Sequence, residues 1–336
     1  MKRGAERVLL ILNPASGFVS KDIAVALITK KLRRHFAGLS LVSTRSPQQA
    51  REVARQGLRH FDLFVAFGGD GTVNSVAGAL IDSDKTLGIL PGGSGNGLAR
   101  NLGLPLSWLR ALDVLIRGRD VRIDAGDING RLFFNVAGMG LDGMISKNFN
   151  LQSRTRGILP YIYYALRGYL EMPHYRVQVT TETESFEEEI LILALANFRQ
   201  YGAQAVIAPR ASPFDRLLDL CLLKRFTWLQ SSLNLQRLFT GTIDKFPFYR
   251  AFKVAGAQVR SLAGPIPFHF DGEYGGEDLE EYVVRVLPGA LGVRVPGAGA
   301  KKRGRIAPPP IDRTRVNPKW TFSARSPDRS LRSGLP

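Results

Sequence analysis

Residues 61–105 read FDLFVAFGGDGTVNSVAGALIDSDKTLGILPGGSGNGLARNLGLP, and two glycine-rich turns within this stretch decide the fold. Each turn follows a short apolar run and precedes a helical pattern. Leu63–Phe67 leads into Gly68-Gly69-Asp70-Gly71-Thr72, after which Val73, Val76, Ala77 and Leu80 recur at helical spacing. Leu87–Leu90 leads into Pro91-Gly92-Gly93-Ser94-Gly95-Asn96-Gly97, followed by Leu98-Ala99-Arg100-Asn101-Leu102. Glycine accepts left-handed backbone and lets the chain come close to an anion, while the free N–H groups opening a helix favour phosphate. Two such turns on neighbouring strands converge at the carboxyl ends of an open α/β sheet, which predicts a nucleotide site. Asp70 is the odd residue, because a naked phosphate repels it. It meets either a magnesium ion carried by phosphates or a hydroxyl awaiting deprotonation, and for one loop alone the competing reading is an ordinary turn using Gly and Asp. Neither turn is followed by Gly-Lys-Ser/Thr, and the GxGxxG spacing with a later ribose-binding acid is missing, so Walker-type and dinucleotide loops are excluded.

Working outward, Val8–Leu12, Leu39–Ser43, Leu63–Phe67 and Leu87–Leu90 alternate with helical stretches near 20–36, 47–59, 73–81 and 95–103. That alternation predicts an α/β lobe, a mostly parallel sheet with helices on both faces. Ser46-Pro47-Gln48-Gln49 supplies an N-cap, a first-turn proline and a capping-box glutamine. After a helix at 107–117 the pattern changes. Strand-type runs follow at 121–125, 132–136, 175–180, 188–196, 218–223, 252–259, 265–270 and 281–286, interrupted by helical stretches near 157–171 and 227–240. These predict an antiparallel β-sandwich lobe. The expected organisation is a nucleotide-binding lobe over 1–120, a second lobe over 121–296, and a basic tail over 297–336.

The 336 residues carry a formal charge of +17, and residues 297–336 hold ten Lys/Arg against Asp312 and Asp328 in a Pro-, Gly- and Ser-rich background. Such a tail cannot bury a core and is expected to be disordered; an anionic membrane surface is its expected partner, with nucleic acid or plain solvation as the alternatives. The one cysteine, Cys221, sits in an apolar run and reads as a buried small hydrophobe. His35, His60, His174 and His269 show no metal-binding spacing. His269, two residues before Asp271, reads as structural. The N-terminus lacks a signal-peptide pattern, and no uninterrupted apolar run of about 18 residues occurs, so the expected location is cytoplasmic and peripheral at the membrane. The segment 157–166, rich in aromatics, covers an acyl channel, leans on a membrane, or packs on the sandwich.

Several blocks, in order, carry a resemblance. They are Asn13-Pro14-Ala15-Ser16-Gly17, Gly68-Gly69-Asp70-Gly71-Thr72-Val73-Asn74, Pro91-Gly92-Gly93-Ser94-Gly95-Asn96, Phe134-Asn135-Val136-Ala137-Gly138-Met139-Gly140, Ala208–Asp219 and Asp271-Gly272-Glu273. Together they span roughly 7–296 and resemble the diacylglycerol kinase catalytic-domain family, which also holds sphingosine and ceramide kinases and many bacterial lipid kinases. Asn96-Gly97 is similar to the sphingosine and ceramide kinase version of the second turn. Arg216 stands where the family's Asp-Gly-Leu-Leu-Asp core has glycine, and Tyr201-Gly202-Ala203-Gln204 stands where consecutive glycines are frequent.

The resemblance implies ATP-dependent transfer of the γ-phosphoryl group to a lipid hydroxyl, with nucleotide on the first lobe and the acceptor in the cleft. It implies that Asn13, Thr44, Gly68, Gly69, Asp70, Gly71, Thr72, Val73, Asn74 and Ser94 line the ATP site. Glu273 is then the proton acceptor, with Asp70 its rival or a partner of Mg2+. By the same transfer, Asp215 with the carbonyls of Ser212 and Leu217 holds a second, structural Mg2+. Two other readings stay open: a kinase of a soluble acceptor such as NAD, and a non-enzymatic membrane or nucleic-acid adaptor on a kinase-like fold.

Overall fold

The computed structural model describes residues 5–14, 21–152, 174–201, 205–226, 236–276 and 278–297. The first lobe runs β1 (Arg7–Leu12), α1 (Lys21–Arg33), β2 (Gly38–Ser43), α2 (Pro47–Gly57), β3 (Leu63–Gly68), α3 (Asp70–Leu80), β4 (Thr86–Pro91), α4 (Gly97–Asn101) and α5 (Trp108–Arg117). Its strands are parallel in the order β2-β1-β3-β4. β3 is buried along its whole length, which is why it reads as a continuous apolar run rather than an alternating one. Alternate residues face opposite layers. Val8, Leu10, Leu63 and Val65 pack with Ala24, Ile28 and Leu32 of α1 and with Ala111, Leu112 and Leu115 of α5. Leu9, Ile11, Phe64 and Ala66 pack with Ala50 and Ala54 of α2 and with Val73, Val76, Ala77 and Leu80 of α3. The Ser46 hydroxyl accepts the Gln49 N–H, and the Gln49 amide reaches back to the N–H of Arg45, one residue ahead of the cap.

The second lobe contains β5 (Arg119–Ile128), β6 (Arg131–Phe133), β7 (Val136–Gly140), α6 (Leu141–Gln152), β8 (Tyr175–Thr180), β9 (Ser185–Ala196), β10 (Leu218–Lys224), α7 (Gln236–Thr240), β11 (Tyr249–Val254), β12 (Gly256–Ser261), β13 (Phe268–Phe270), β14 (Glu273–Tyr274) and β15 (Glu281–Val295). Within it the strand pairs are antiparallel, including β7 with β9, β9 with β10, and β7 with β13. The expected combination of a parallel lobe and an antiparallel sandwich is what the chain forms. β15 joins the two, pairing with β5 and β12 before Gly292 and Val293 run parallel to Thr86 and Leu87 of β4. The expected division after residue 120 falls within β5.

Several local expectations need correction, among them 132–136, which is the end of β6 and the start of β7, and 265–270, where the strand begins at Phe268. The strand expected to stop at Val286 continues to Val295, because an irregularity between Leu287 and Leu291, with Gly289 at φ 56°, absorbs Pro288. The run 252–259 is two strands, β11 and β12, broken at Ala255. α6 has no counterpart in the expected pattern. It packs so closely on the segment before β13 that a Cβ at Gly143 would stand 2.0 Å from the Pro267 carbonyl oxygen. The helix expected at 157–171 and the 157–166 aromatic segment lie outside the described residues. So do 227–235 and all of the tail except residue 297. No described helix is long and apolar enough to cross a membrane.

Candidate active site

The two glycine turns interlock. Gly92 N–H donates to the Gly68 carbonyl at 2.8 Å, and a Cβ at Gly93 would stand 2.6 Å from Gly69 Cα. None of these glycines has positive φ; the left-handed residue is Asn96, at φ 53°. The left-handed backbone expected of these glycines is therefore absent, and it is Gly93 that the close approach of one turn to the other requires to be glycine. Asn96 folds its turn by accepting the Gly93 N–H at 3.1 Å and donating to the Gly93 carbonyl at 2.7 Å.

Asp70 clamps the pair. Its carboxylate accepts the N–H groups of Asn96 at 2.9 Å and Gly97 at 2.6 Å, capping α4 from the first residue of α3. A Cβ at Gly95 would meet Asp70 Oδ2 at 2.5 Å. Around the clamp, Asn13 Nδ2 donates to Thr72 Oγ1 at 3.3 Å. Gly68 is buried at the end of β3, Gly69 and Gly71 are half-buried in the turn, and Asn74 is half-buried one helical turn in. Ser94 is exposed on the rim. Thr44 and Val73 are different. Thr44 is fully buried with its hydroxyl on the Leu12 carbonyl, and Val73 is a core residue, so neither side chain is presented to a ligand.

The second lobe brings a hairpin to the same place. Asp271 (φ 52°) and Gly272 (φ 85°) form the two-residue turn between β13 and β14, and positive φ at both positions is the type I′ arrangement that Asp-Gly favours. The Asp271 carboxylate accepts three backbone N–H groups, from Phe134, Asn135 and Val136 at 2.8, 2.7 and 3.2 Å. Burial nevertheless pushes its pKa up to about 6, those hydrogen bonds opposing and Asp70 adding to the rise. Glu273 emerges one residue after the turn, directed at the start of α3. A Cβ at Gly71 would stand 3.4 Å from Glu273 Oε1. Glu273 is exposed and, among the described residues, has no hydrogen-bond or ion-pair partner. Desolvation by the cleft walls and the charges of Asp271 and Asp70 raise its pKa above the usual glutamate value.

Behind the hairpin lies a buried polar set that the sequence did not assign. Gly272 N–H faces His269 Nδ1 at 3.3 Å, which leaves the ring proton on Nε2, 3.2 Å from Asp142 Oδ2. The Tyr201 hydroxyl donates to the same oxygen at 2.8 Å. His269 is therefore structural, as expected, and braces the turn that carries Glu273. Asn101 ties the lobes, donating to Asn135 Oδ1 at 2.8 Å and to the Gln200 carbonyl at 3.1 Å. Asn135 belongs to a block that the sequence singled out without giving it a task, and Asp142 lies in no such block, so only the contacts reveal what the two residues do.

The expected second magnesium site does not fit the residues present. Asp215 Oδ1 accepts the Leu217 N–H at 3.2 Å, and Asp215 Oδ2 holds the Lys253 ammonium at 2.7 Å. Both oxygens of the one carboxylate in the expected set are thus taken, one by a backbone N–H and one by an ammonium, and among the described residues no cluster of three or more His, Cys, Asp or Glu is arranged to hold a metal.

Residues 7–128 match the family model of the diacylglycerol kinase catalytic domain, and residues 135–295 match that of the YegS C-terminal NAD kinase beta sandwich-like domain. A diacylglycerol kinase of Bacillus subtilis (strain 168) is 30% identical over 285 residues, covering 83% of this chain and 93% of that protein. One of Staphylococcus saprophyticus is 26% identical over 279 residues, covering 81% and 90%. A crystal structure of a diacylglycerol kinase from Bacillus anthracis str. Sterne, 21% identical, superposes with a TM-score of 0.67 over 86% of this chain and 97% of that one. That last likeness is one of fold. Identity of 30% carried across 83% of the chain, with both halves matched in order, goes further: this is a kinase, and the chain belongs to the diacylglycerol kinase catalytic-domain family.

Proposed function

We propose that this kinase transfers the γ-phosphoryl group of ATP to the hydroxyl of a lipid alcohol of the diacylglycerol class, with Glu273 as proton acceptor. The observation that carries the reading is the position of Glu273, unpartnered and against the first turn of α3. Thr72 N–H already donates to the Gly69 carbonyl, but the Asp70 and Gly71 N–H groups that open α3 have no acceptor within the helix and suit phosphate oxygens, and the interlocked turns hold that end of the helix in place. In the reaction the acceptor oxygen bonds to the γ-phosphorus, the bond to the bridging β,γ-oxygen breaks, and the hydroxyl proton passes to a Glu273 oxygen. Both Asp70 oxygens already accept backbone N–H groups, which favours Glu273 over Asp70 as the base and gives Asp70 the task of positioning the turns.

The donor set suits magnesium arriving on the nucleotide. Asp70, Asp271 and Glu273 repel one another, and among the described residues no cationic side chain pairs with any of them. A cation bound mainly by phosphates needs only one or two carboxylates, and Asp70 lies at the mouth of the turn. When bound, magnesium neutralises charge on the transferring group. The names of the relatives support a diacylglycerol-like acceptor, and the charge of +17 supports work at an anionic membrane surface.

The test is transfer of labelled γ-phosphate from ATP and magnesium to micellar diacylglycerol, monoacylglycerol, sphingosine and ceramide, and to NAD, by wild type and Glu273→Gln. Label in one lipid, lost in the variant, is the expected result. Label in NAD alone refutes the lipid reading, and undiminished transfer by Glu273→Gln refutes the assignment of the base.

A further inference from the structure

The second lobe contains a cation of its own where the family resemblance implies a metal. Lys253 of β11 sits directly across the ladder from Asp219 of β10. Its Nζ lies 2.5 Å from Asp219 Oδ2, 2.7 Å from Asp215 Oδ2 and 3.3 Å from the Arg210 carbonyl oxygen. Three oxygens for three ammonium protons is a complete set. The contacts tie the 210–219 segment to two adjacent strands. Asp219 is buried, at 6% side-chain exposure, while Lys253 keeps 34%, so the pair is closed on one side only.

The same segment departs from the family at a second position. Arg216 stands where the related core has glycine and adopts φ 63°, while its N–H donates to Asp124 Oδ2 at 2.8 Å. A magnesium ion at this place needs oxygen ligands at about 2.0–2.1 Å in octahedral array. Asp215 cannot give such an ion its outward oxygen without surrendering Lys253, and the displaced ammonium would remain beside the dication.

We propose that Lys253 replaces the structural divalent cation of this lobe, so that its ammonium holds the 210–219 segment in place and the fold of the lobe does not depend on magnesium. This rests on the contacts of Lys253 and is independent of which acceptor the kinase uses.

The experiment is thermal unfolding of the full chain, without nucleotide, in chelator and in excess magnesium, for wild type, Asp215→Asn and Lys253→Met. The wild type is expected to melt at the same temperature in both solutions. Lys253→Met, which strands Asp215 and Asp219, is expected to melt lower by roughly 3–6 °C in chelator, with part of the loss recovered in magnesium. A rise in the wild-type melting temperature on adding magnesium that disappears in Asp215→Asn overturns the proposal, because a cation then binds at Asp215 despite the lysine. A rise that persists in Asp215→Asn comes from another site and leaves the proposal standing. If Lys253→Met melts with the wild type in chelator, the ammonium holds nothing and the proposal fails. If that variant does not fold, the wild-type and Asp215→Asn comparison still decides the matter.

Discussion

Replacing Gly93 by alanine should damage catalysis far more than the addition of one methyl suggests. The new Cβ would stand 2.6 Å from Gly69 Cα, where non-bonded carbons prefer about 3.5–4.0 Å, so the two turns must separate by about 1 Å. Separation stretches the Gly92 to Gly68 hydrogen bond and pulls on the Asp70 clamp. Overpacking of this kind costs about 1–3 kcal/mol and the weakened hydrogen bond about 1 kcal/mol, which a large kinase lobe can survive. Activity is more sensitive, since a displacement of about 1 Å in a positioned site costs on the order of 100-fold. Gly69→Ala is the control, because its Cβ would meet Gly93 Cα at 3.5 Å, an ordinary contact. Steady-state transfer of labelled phosphate, with circular dichroism to confirm folding, reads both variants. Gly93→Ala with activity close to wild type refutes the interlock. If Gly69→Ala is as damaged as Gly93→Ala, the ligand and not the neighbouring turn requires the glycines.

Because Glu273 must be ionised to accept a proton and its pKa is raised by desolvation and by Asp271 and Asp70, kcat/KM should fall as pH falls through a value above the usual glutamate range. Asp70→Asn, whatever its effect on amplitude, should move that acid limb to lower pH, and a pH profile checks it; an unmoved limb excludes the coupling. Arg216→Gly should stabilise the chain by about 0.5–1 kcal/mol, the left-handed strain of about 1–2 kcal/mol being offset in part by glycine's greater unfolded-state entropy. Its denaturant midpoint measures this directly. Cys221, buried with its thiol pushed up to about 12, should resist thiol reagents until the chain unfolds, which a labelling time course in and out of denaturant would establish.

The parallel lobe was legible because its signals are local. Strand runs such as Leu63–Phe67, the Ser46 cap and the two glycine turns each declare themselves within a few residues, and the order of alternation implies the layering. Asp271-Gly272-Glu273 entered only through the resemblance, and its hairpin came to light in the pairing of β13 with β14. Much less of the site could be read. That Asp70 clamps Asn96 and Gly97, that Asp271 gathers three N–H groups from residues 134–136, and that His269 leans on Asp142 are facts about residues 26 to 137 positions apart. β15 escaped for a related reason: Pro288 and Gly289 break its local pattern, and only pairing with β5 and β4 makes it one strand.

By itself, then, the sequence determined where strands and helices alternate and where the turns between them fall, since these follow from short-range sterics and periodic burial, and its ordered blocks carried the family resemblance. The tertiary structure alone decided what each polar side chain does. A carboxylate's role depends on the N–H groups, charges and desolvation around it, and folding assembles those from distant parts of the chain. Asp70, Asp215, Asp271 and Glu273 are alike as acidic residues in the sequence; in the fold they become a clamp, a lysine's partner, a strand cap and a carboxylate without a partner among the described residues.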